Sequence, residues 1–322
     1  MPISIAYPTV NNQRDIITPV EAKNGMVVTD NNLATQIGLT VLTQGGNAID
    51  AAVTIGFVMA VTYPQAGNIG GGGFMLIHHA PTKQVIAIDY RETAPAKARP
   101  DMFLDQDNHV NPKLSRFSHR AVGIPGTVAG LALALEKYGT FSLAQALAPA
   151  INLAKEGFVV SKALSESIKQ HLPKDHSQLT PAIFFNARGQ VYEPGELLIQ
   201  KNLANTLNLL AKAGTSAFYH GQIANLIVAE MEIHGGLITK DDLARYQPII
   251  RQPVQGSYRG YDIYSMSPPS SGGVHIIQIL NILEKDDIKS LGHNSAATIH
   301  LLAEAMKRAY ADRSKYLGDP DF

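Results

Sequence analysis

The chain has 322 residues, of which 45% are hydrophobic and 17% are charged, and its formal net charge at pH 7 is zero. Because charged residues make up about a quarter of an average soluble protein, this deficit indicates a large buried fraction or a surface that packs against another polypeptide. Zero net charge without basic blocks argues against nucleic acid or an anionic membrane as the main partner. The length suits one large domain or two ordinary ones.

The chain contains no cysteine, which excludes disulfides, a cysteine nucleophile and thiolate metal sites. Its longest apolar run, residues 51–61, is too short to span a bilayer, so no membrane insertion is expected. Residues 1–24 are predicted to form an irregular N-terminal segment. They lack the basic start and apolar core of a secretory signal.

The first half of the chain predicts, in order, two helices and two apolar strands that form a hairpin, at residues 31–43, 47–61, 74–77 and 85–88. No Lys or Arg occurs from residue 24 to residue 82, which is the charge pattern of a protein interior. Both strands are apolar at neighbouring positions, so both faces of their sheet are expected to be covered.

The rest of the chain predicts further helices at residues 127–138, 142–156, 161–171, about 199–213, 216–234, from the loop 268–273 to about 284, and about 296–313. A hairpin is expected at residues 254–266, and Thr239 and Asp242 have the spacing of a capping box. Strands placed among helices in this way indicate an α+β fold, not a regular βαβ alternation.

Four consecutive glycines, residues 70–73, lead directly into the first strand. Glycine permits positive φ and close approach of another segment, and a tight corner between helix and strand is the simplest interpretation. Phosphate-binding P-loops and dinucleotide-binding loops place their glycines before a helix, whereas this run opens a strand. The order of elements therefore argues against nucleotide binding.

The histidines and paired acids are expected to be structural. His78 and His79 are neighbours on a strand and face opposite ways, so they cannot both bind one metal ion. No His-Glu-x-x-His or comparable ligand spacing occurs, and all 11 histidines are interpreted as solvated or hydrogen-bonded, without a metal site. The acidic pair 241–242 is interpreted as a helix cap, and the pair 286–287 as a solvated turn. Asp319 and Asp321 are interpreted as structural residues of a terminal loop.

No convincing nucleophile is visible from the residues alone, since no Gly-x-Ser-x-Gly elbow occurs. The loop 270–273, Ser-Ser-Gly-Gly, can present N–H groups to an anion at a helix start, but a helix cap with a tight turn explains it equally well. Arg91 ends the second strand, and its guanidinium offers a fork of donors that suits a carboxylate. The residues alone favour a structural ion pair of Arg91 with Asp89 or Glu92.

Two segments closely resemble motifs of the gamma-glutamyltransferase (glutathione hydrolase) family: Pro-Gln-Ala-Gly-Asn-Ile-Gly-Gly-Gly-Gly-Phe-Met at 64–75 and Asp-Tyr-Arg-Glu-Thr-Ala-Pro at 89–95. The similarity continues through motifs at residues 123–127, 235–239, 268–273 and 310–314, all in family order. It spans nearly the whole chain, from about residue 25 to residue 322.

The resemblance implies an α+β fold of the N-terminal-nucleophile-hydrolase type, a four-layer αββα sandwich. Residues 25–322 would be the large-subunit region, an incomplete domain that the small subunit of the same precursor completes. In the family the precursor cuts itself, and the threonine at the start of the small subunit attacks the γ-glutamyl amide. No catalytic residue is therefore expected in this chain, which alone is expected to be inactive.

The resemblance also reverses the interpretation of Arg91, which is expected to hold the α-carboxylate of the γ-glutamyl group. The expected substrate is glutathione or another γ-glutamyl compound, whose acyl group passes through an enzyme ester to water, an amino acid or a peptide. No organic cofactor or metal is expected. A glutaryl acylase, a poly-γ-glutamate depolymerase or an inactive truncated remnant are the alternatives. Family members are commonly exported, so a periplasmic or secreted location is expected, with the cytoplasm left open.

Overall fold

The computed structural model describes residues 19–172 and 182–321. Most of the irregular segment predicted at 1–24 lies outside the described residues, and residues 19–24 have neither helix nor strand. The described helices are α1 (Asn32–Thr43), α2 (Ala48–Thr62), α3 (Pro112–Phe117), α4 (Thr127–Tyr138), α5 (Leu143–Glu156), α6 (Lys162–His171), α7 (Lys201–Ala213), α8 (Ser216–Tyr219), α9 (Gln222–His234), α10 (Lys240–Arg245), α11 (Gly272–Leu283), α12 (Ile288–Leu291) and α13 (Ala296–Tyr316).

The described strands are β1 (Phe74–His79), β2 (Gln84–Asp89), β3 (Phe158–Val159), β4 (Leu197–Leu198), β5 (Ile249–Arg251), β6 (Val254–Tyr258) and β7 (Tyr261–Ser265), and short 3-10 turns lie at His119–Ala121 and Ala182–Phe184. Within the described residues, no helix combines the length and the apolar character that crossing a membrane requires.

Local signals set the ends of several helices as predicted. The Asn31 side chain accepts the N–H of Ala34 at 3.0 Å and begins α1. Thr239 and Asp242 form the predicted capping box at the start of α10. Gly235 ends α9 with φ of 69°, a left-handed conformation that glycine adopts without steric cost.

The prediction of a single helix over residues 216–234 is wrong. The segment is divided into α8 and α9 because Gly221 leaves the helical conformation, with φ of −101° and ψ of −146°. The last helix, α13, extends to Tyr316 and so runs beyond the predicted end at about 313. The predicted turn at 286–287 contains a further cap, since Asp287 accepts the N–H of Ser290 and begins α12.

The central sheet has three antiparallel strands in the order β1-β2-β5. Directly paired residues share a face, so one face is formed by Met75, Ile77, Ile86, Ile88 and Ile250. Ile77 and Ile88 on this face belong to the buried core that the helices complete. This arrangement confirms the predicted hairpin and adds β5, which the sequence did not predict.

The opposite face of the sheet, called here the open sheet face, includes Phe74, Leu76, His78 and Ile249. Leu76 is 43% exposed and Ile249 is 41% exposed. The prediction that both faces are covered is therefore wrong at Leu76 and Ile249 in the described chain, although Ala87 and Asp89 on the same face are buried. Exposed apolar side chains on a sheet favour association with another polypeptide surface.

Helix α2 lies at the centre of the helical layer, where it contacts α1, α4 and α5. Phe57, Val58 and Val61 on this helix are completely buried. Fully burying such side chains stabilises a fold by roughly 1.5–3 kcal/mol each. A Cβ on Gly56 of α2 would lie 2.8 Å from Cδ1 of Leu131 on α4, so this glycine lets the two helices approach closely.

Asp50 is a fully buried carboxylate that ties α2 to the turn between α4 and α5. Its oxygens accept the N–H of Asn47 at 2.7 Å, the N–H and hydroxyl of Thr140 at 2.7 Å each, and the N–H of Phe141 at 2.9 Å. Burial acts to raise the pKa of Asp50, but the hydrogen bonds from Phe141, Thr140 and Asn47 outweigh it and hold that pKa below the usual value.

We expect Asp50→Asn to lower the free energy of unfolding by about 2–4 kcal/mol, because single hydrogen bonds to charged groups contribute about 1.5–3 kcal/mol. A lowered folded-state pKa stabilises above the unfolded-state pKa of about 3.9, and this stabilisation is lost as the pH falls through the folded-state value. The difference between wild type and variant in urea unfolding should therefore shrink in acid. Asp241→Asn, at an exposed position of α10, is the control and should be nearly neutral.

Candidate active site

Arg91 follows β2, and its backbone is fixed on several sides. Tyr90 continues the ladder with Gly73 through two hydrogen bonds, of 3.0 and 3.2 Å. The Arg91 N–H donates to Oδ1 of Asp89 at 3.0 Å, and the Tyr246 hydroxyl donates to the Arg91 carbonyl at 2.9 Å. The position from which the Arg91 side chain starts is therefore well defined.

The glycine run 70–73 provides space for this segment. A Cβ on Gly72 would lie 2.5 Å from the Tyr90 carbonyl oxygen and 2.7 Å from the Glu92 nitrogen, and both of these are backbone atoms. The carbonyl of Gly71 accepts the N–H groups of Gly126 at 2.7 Å and Thr127 at 3.0 Å, at the start of α4. None of the four glycines has a positive φ, so close approach, and not left-handed geometry, explains the run.

Three tyrosines surround the backbone of Arg91: Tyr90 precedes it, Tyr246 donates to its carbonyl, and Tyr219 stacks on Tyr246. The rings of Tyr219 and Tyr246 stack with centroids 5.7 Å apart, and the Tyr219 hydroxyl donates to the Pro125 carbonyl at 2.9 Å. Burial raises the pKa of all three phenols. The hydroxyls of Tyr219 and Tyr246 therefore stay protonated and continue to donate to the carbonyls of Pro125 and Arg91.

Asp89 is buried beside Arg91 but is paired with a different arginine. Nε of Arg251, on β5, donates to Oδ2 of Asp89 at 2.8 Å, and the Asp89 side chain is only 6% exposed. Arg251 also pairs with Asp321, and this contact, followed by the pairing with Asp89, raises the pKa of the guanidinium. The Asp89 carboxylate is thus occupied by Arg251 and by the Arg91 amide.

The guanidinium of Arg91 is exposed and makes no ion pair with any described residue. It lines a cavity of about 360 Å³, called here the Arg91 cavity, together with Arg251 and Arg313. Of these three cations, Arg251 is neutralised by its two carboxylate partners. Carboxylates of Asp89, Glu92, Asp319 and Asp321 also line the cavity, so the feature that suits a carboxylate ligand is the unpaired guanidinium group, which in the described chain both Arg91 and Arg313 offer.

A family model described as Gamma-glutamyltranspeptidase matches residues 34–322. The chain belongs to this family. The resemblance identified in the sequence is confirmed.

Three comparisons place the chain within the gamma-glutamyltranspeptidase family more closely. It is 52% identical to the glutathione hydrolase proenzyme of Escherichia coli (strain K12), over 96% of this chain and 53% of that protein. It is 41% identical to the Acylase ACY 1 proenzyme of Pseudomonas sp. (strain V22), over 94% of this chain and 55% of that protein. The chain thus spans about half the length of the curated relatives it matches.

The crystal structure of Helicobacter pylori gamma-glutamyltranspeptidase matches with a TM-score of 0.89 and 49% identity, covering 95% of this chain and 87% of that chain. This likeness confirms the predicted α+β fold of the gamma-glutamyltranspeptidase type.

The other residues singled out in the sequence lie mainly in structural roles. His79 bonds to the Thr82 hydroxyl at 2.9 Å, in the hairpin turn. The loop 270–273 is a tight turn, in which the Gly272 N–H donates to the Ser270 hydroxyl at 3.2 Å. Asp321 pairs with Arg251, and Asp319 accepts the Asp321 N–H at 3.0 Å, contacts that agree with a structural role, but both residues also line the Arg91 cavity.

Sequence reasoning missed Tyr246 and Arg251, which lie far along the chain from the residues they hold. It also missed a cluster in which His119 meets Glu230 and His234. The spacing of Glu230 and His234, one helical turn apart, was a visible signal, but nothing in the sequence placed His119 beside them.

Gly72→Ala is expected to lower the free energy of unfolding by about 1–3 kcal/mol, because the new methyl group meets backbone atoms that can move only with the segment. Gly70→Ala is the matched control within the run, since its Cβ would have 3.5 Å to the nearest heavy atom, on Asn68. Denaturant midpoints of the complete protein measure both. Equal effects of the two alanines would contradict the close-approach explanation.

Arg251→Met is expected to lower the free energy of unfolding by about 3–5 kcal/mol, because it leaves the buried Asp89 carboxylate without its cation. Adding Asp89→Asn should recover part of that loss, and a double-mutant cycle on thermal or denaturant unfolding quantifies the recovery. Arg99→Met removes a pair of which both side chains are exposed, by 73% and 57%, and should be nearly neutral. A double variant no more stable than Arg251→Met would argue against the pairing.

Proposed function

We propose that the chain forms the large-subunit portion of a gamma-glutamyltransferase, or glutathione hydrolase. The enzyme would cleave the γ-glutamyl amide of glutathione and related compounds through a γ-glutamyl-enzyme intermediate. It would then transfer the acyl group to water, an amino acid or a peptide. Membership of the gamma-glutamyltranspeptidase family and the identity of 52% to a glutathione hydrolase proenzyme support this proposal.

The single observation that bears most directly on the site is the unpaired guanidinium of Arg91. Of its two candidate ion-pair partners, Asp89 is occupied by Arg251 at 2.8 Å, and Glu92 forms no ion pair with Arg91 in the described chain. In the proposal, the two terminal nitrogens of Arg91 donate to the two oxygens of the substrate α-carboxylate. A bidentate contact of this kind fixes the orientation of the γ-glutamyl group as well as its charge. Arg91 then binds and orients the substrate and does not exchange protons with it.

The nucleophile is proposed to be a threonine of a small subunit cut from the same precursor. The amino group of that threonine would act as its base, and N–H groups would stabilise the oxyanion. Two observations support a partner: the relative from Escherichia coli is named as a proenzyme, and the open sheet face exposes Leu76 and Ile249. The small subunit would cover this face and complete the αββα sandwich. An extracytoplasmic location stays a prediction that rests on family resemblance.

Arg91→Ala tests the role of the guanidinium in the complete protein. Removing one partner of a desolvated charge pair costs about 2–5 kcal/mol, so KM for a γ-glutamyl anilide should rise by about 30- to several-thousand-fold. Arg91→Lys keeps the charge but loses the fork, and should recover only part of the loss. Steady-state kinetics measure both variants, with Arg99→Ala as the control for an exposed arginine outside the Arg91 cavity.

An analogue whose α-carboxylate is replaced by a carboxamide distinguishes substrate binding from a structural role. Wild type and Arg91→Ala should differ far less on this analogue than on the normal substrate. Self-cleavage of the precursor, which involves no substrate carboxylate, should persist in the variant. If the two enzymes differ equally on both substrates, Arg91 supports the fold and the binding proposal fails.

The isolated chain is expected to be inactive and prone to association, because the nucleophile lies in the partner and the open sheet face exposes Leu76 and Ile249. A γ-glutamyl anilide assay combined with light scattering examines both properties in one preparation. Turnover at the level of the complete enzyme by a monomer of this chain would contradict the proposal.

A glutaryl acylase is the second candidate, and the identity of 41% to an acylase proenzyme favours keeping it. A glutaryl group retains a carboxylate that Arg91 can bind but lacks the α-amino group of a γ-glutamyl group. Comparing kcat/KM for γ-glutamyl and glutaryl anilides therefore separates the candidates. A preference for the glutaryl compound would replace the transferase proposal by the acylase one.

A further inference from the structure

Three side chains that are outside the lining of the Arg91 cavity meet at the end of α9: His119, Glu230 and His234. Glu230 and His234 lie one turn apart on the same side of the helix. His119 comes from the short 3-10 turn at His119–Ala121. We call these three residues the His–Glu–His cluster. It joins two segments that are separated by more than 100 positions in the sequence, as the span of 111 between His119 and Glu230 shows.

The ligand atoms of the cluster already have the spacing of a metal site. Nε2 of His119 and Nε2 of His234 each lie 3.3 Å from Oε1 of Glu230. All three ligand atoms are within 4.8 Å of one another. A tetrahedral zinc ion with bonds of about 2.0–2.1 Å places its ligands about 3.3 Å apart. The distances from Glu230 to His119 and from Glu230 to His234 therefore already equal the ligand–ligand distance of a tetrahedral zinc site.

The charge at the cluster also favours a cation. Within the described residues, Glu230 has no ion pair with Lys or Arg, and its charged-group contacts are the two imidazoles. The cluster lies in the last turns of α9, where the carbonyl end of the helix is favourable for positive charge.

Packing against the end of α9 holds the His119 side chain close to Glu230 and His234. The His119 side chain is 16% exposed, less than the 37% of His234. A Cβ on Gly236 would lie 3.1 Å from the Cβ of His119, so the glycine just beyond α9 lets the two segments meet. The two imidazole rings stack with centroids 4.6 Å apart and planes inclined by 18°. The more exposed His234 ring must turn about its χ2 bond for both lone pairs to point at one ion.

A second group of possible ligands in the described chain, Asp105, Asp107 and His109, has a simpler explanation. Oδ1 of Asp105 accepts the N–H groups of Asp107 and His109, both at 2.9 Å, so its carboxylate organises an exposed turn. No comparable backbone contact accounts for Glu230 in the His–Glu–His cluster. This difference makes the Asp105 turn a useful control.

We propose that His119, Glu230 and His234 bind one divalent transition-metal ion, with Zn²⁺ the best match. Two imidazoles and a carboxylate suit borderline ions such as Zn²⁺, whereas Mg²⁺ and Ca²⁺ favour oxygen ligands alone. Three protein ligands leave the remaining positions to water. The bound ion connects the His119–Ala121 turn to the end of α9. Because the three ligands come together only in the folded state, the ion stabilises the folded protein.

Calorimetric titration of the untagged complete protein with Zn²⁺, after removal of metals by a chelator, tests the proposal. We expect one site per chain, which Mg²⁺ does not fill. His119→Ala, His234→Ala and the shape-preserving Glu230→Gln should each weaken Zn²⁺ binding by at least about tenfold, the loss that even an outer partner of a metal ligand commonly causes. His300→Ala, at an exposed position of α13, and His109→Ala should leave the affinity unchanged.

A second measurement guards against misfolded variants. Zn²⁺ should raise the Tm of the wild type and of His109→Ala, but not of Glu230→Gln. All of these proteins should melt at similar temperatures in the presence of a chelator. Wild-type affinity that does not exceed that of His119→Ala overturns the proposal. Loss of the site in His109→Ala would overturn it as well, by assigning the ion to the Asp105 turn.

Discussion

The ion pair between Asp89 and Arg251 is the interaction on which the arrangement of the candidate site depends. A carboxylate that is 6% exposed is costly to bury unless a cation and hydrogen bonds satisfy it, and Arg251 supplies the cation from β5. The same pair joins β2 to β5 and, through Asp321, holds the end of the described chain against the sheet. Because Asp89 is satisfied in this way, the guanidinium of Arg91 remains available although it lies only two residues away.

Backbone and side chain have separate roles at Arg91. Its amide and carbonyl are held by Asp89 and Tyr246, at 3.0 and 2.9 Å, while its guanidinium extends into a cavity without a protein partner. Preorganisation of this kind lowers the entropy cost of binding, since the start of the side chain is fixed before a ligand arrives. It also means that replacing the side chain leaves the supporting contacts in place, so that binding and folding can be measured separately.

Local signals in the sequence predicted much of the fold but little of the site. Caps such as Asn31 and Gly235 act within a few residues, and the hairpin at 74–89 is a contact between neighbours, so both are visible in the chain itself. The partner of Asp89 lies 162 positions away, and no local pattern indicates which arginine will reach it. The sequence left open whether the glycine run serves positive φ or close approach, because the answer depends on the segments that fold against it. Family resemblance, not residue pattern, was the source of the role assigned to Arg91.

Gly72 and Gly73 are adjacent in that run, but a Cβ added at each would clash with a different kind of atom. This difference has a genetic consequence. A methyl group on Gly73 would meet the far end of the Tyr90 ring, with its nearest atom at 2.8 Å, whereas one on Gly72 would meet main-chain atoms of residues 90 and 92. A shorter side chain at position 90 makes room for the first substitution and makes none for the second. In a selection for revertants, a smaller residue at position 90 can therefore relieve the clash of a Gly73 mutant, whereas no side-chain replacement at position 90 relieves that of a Gly72 mutant.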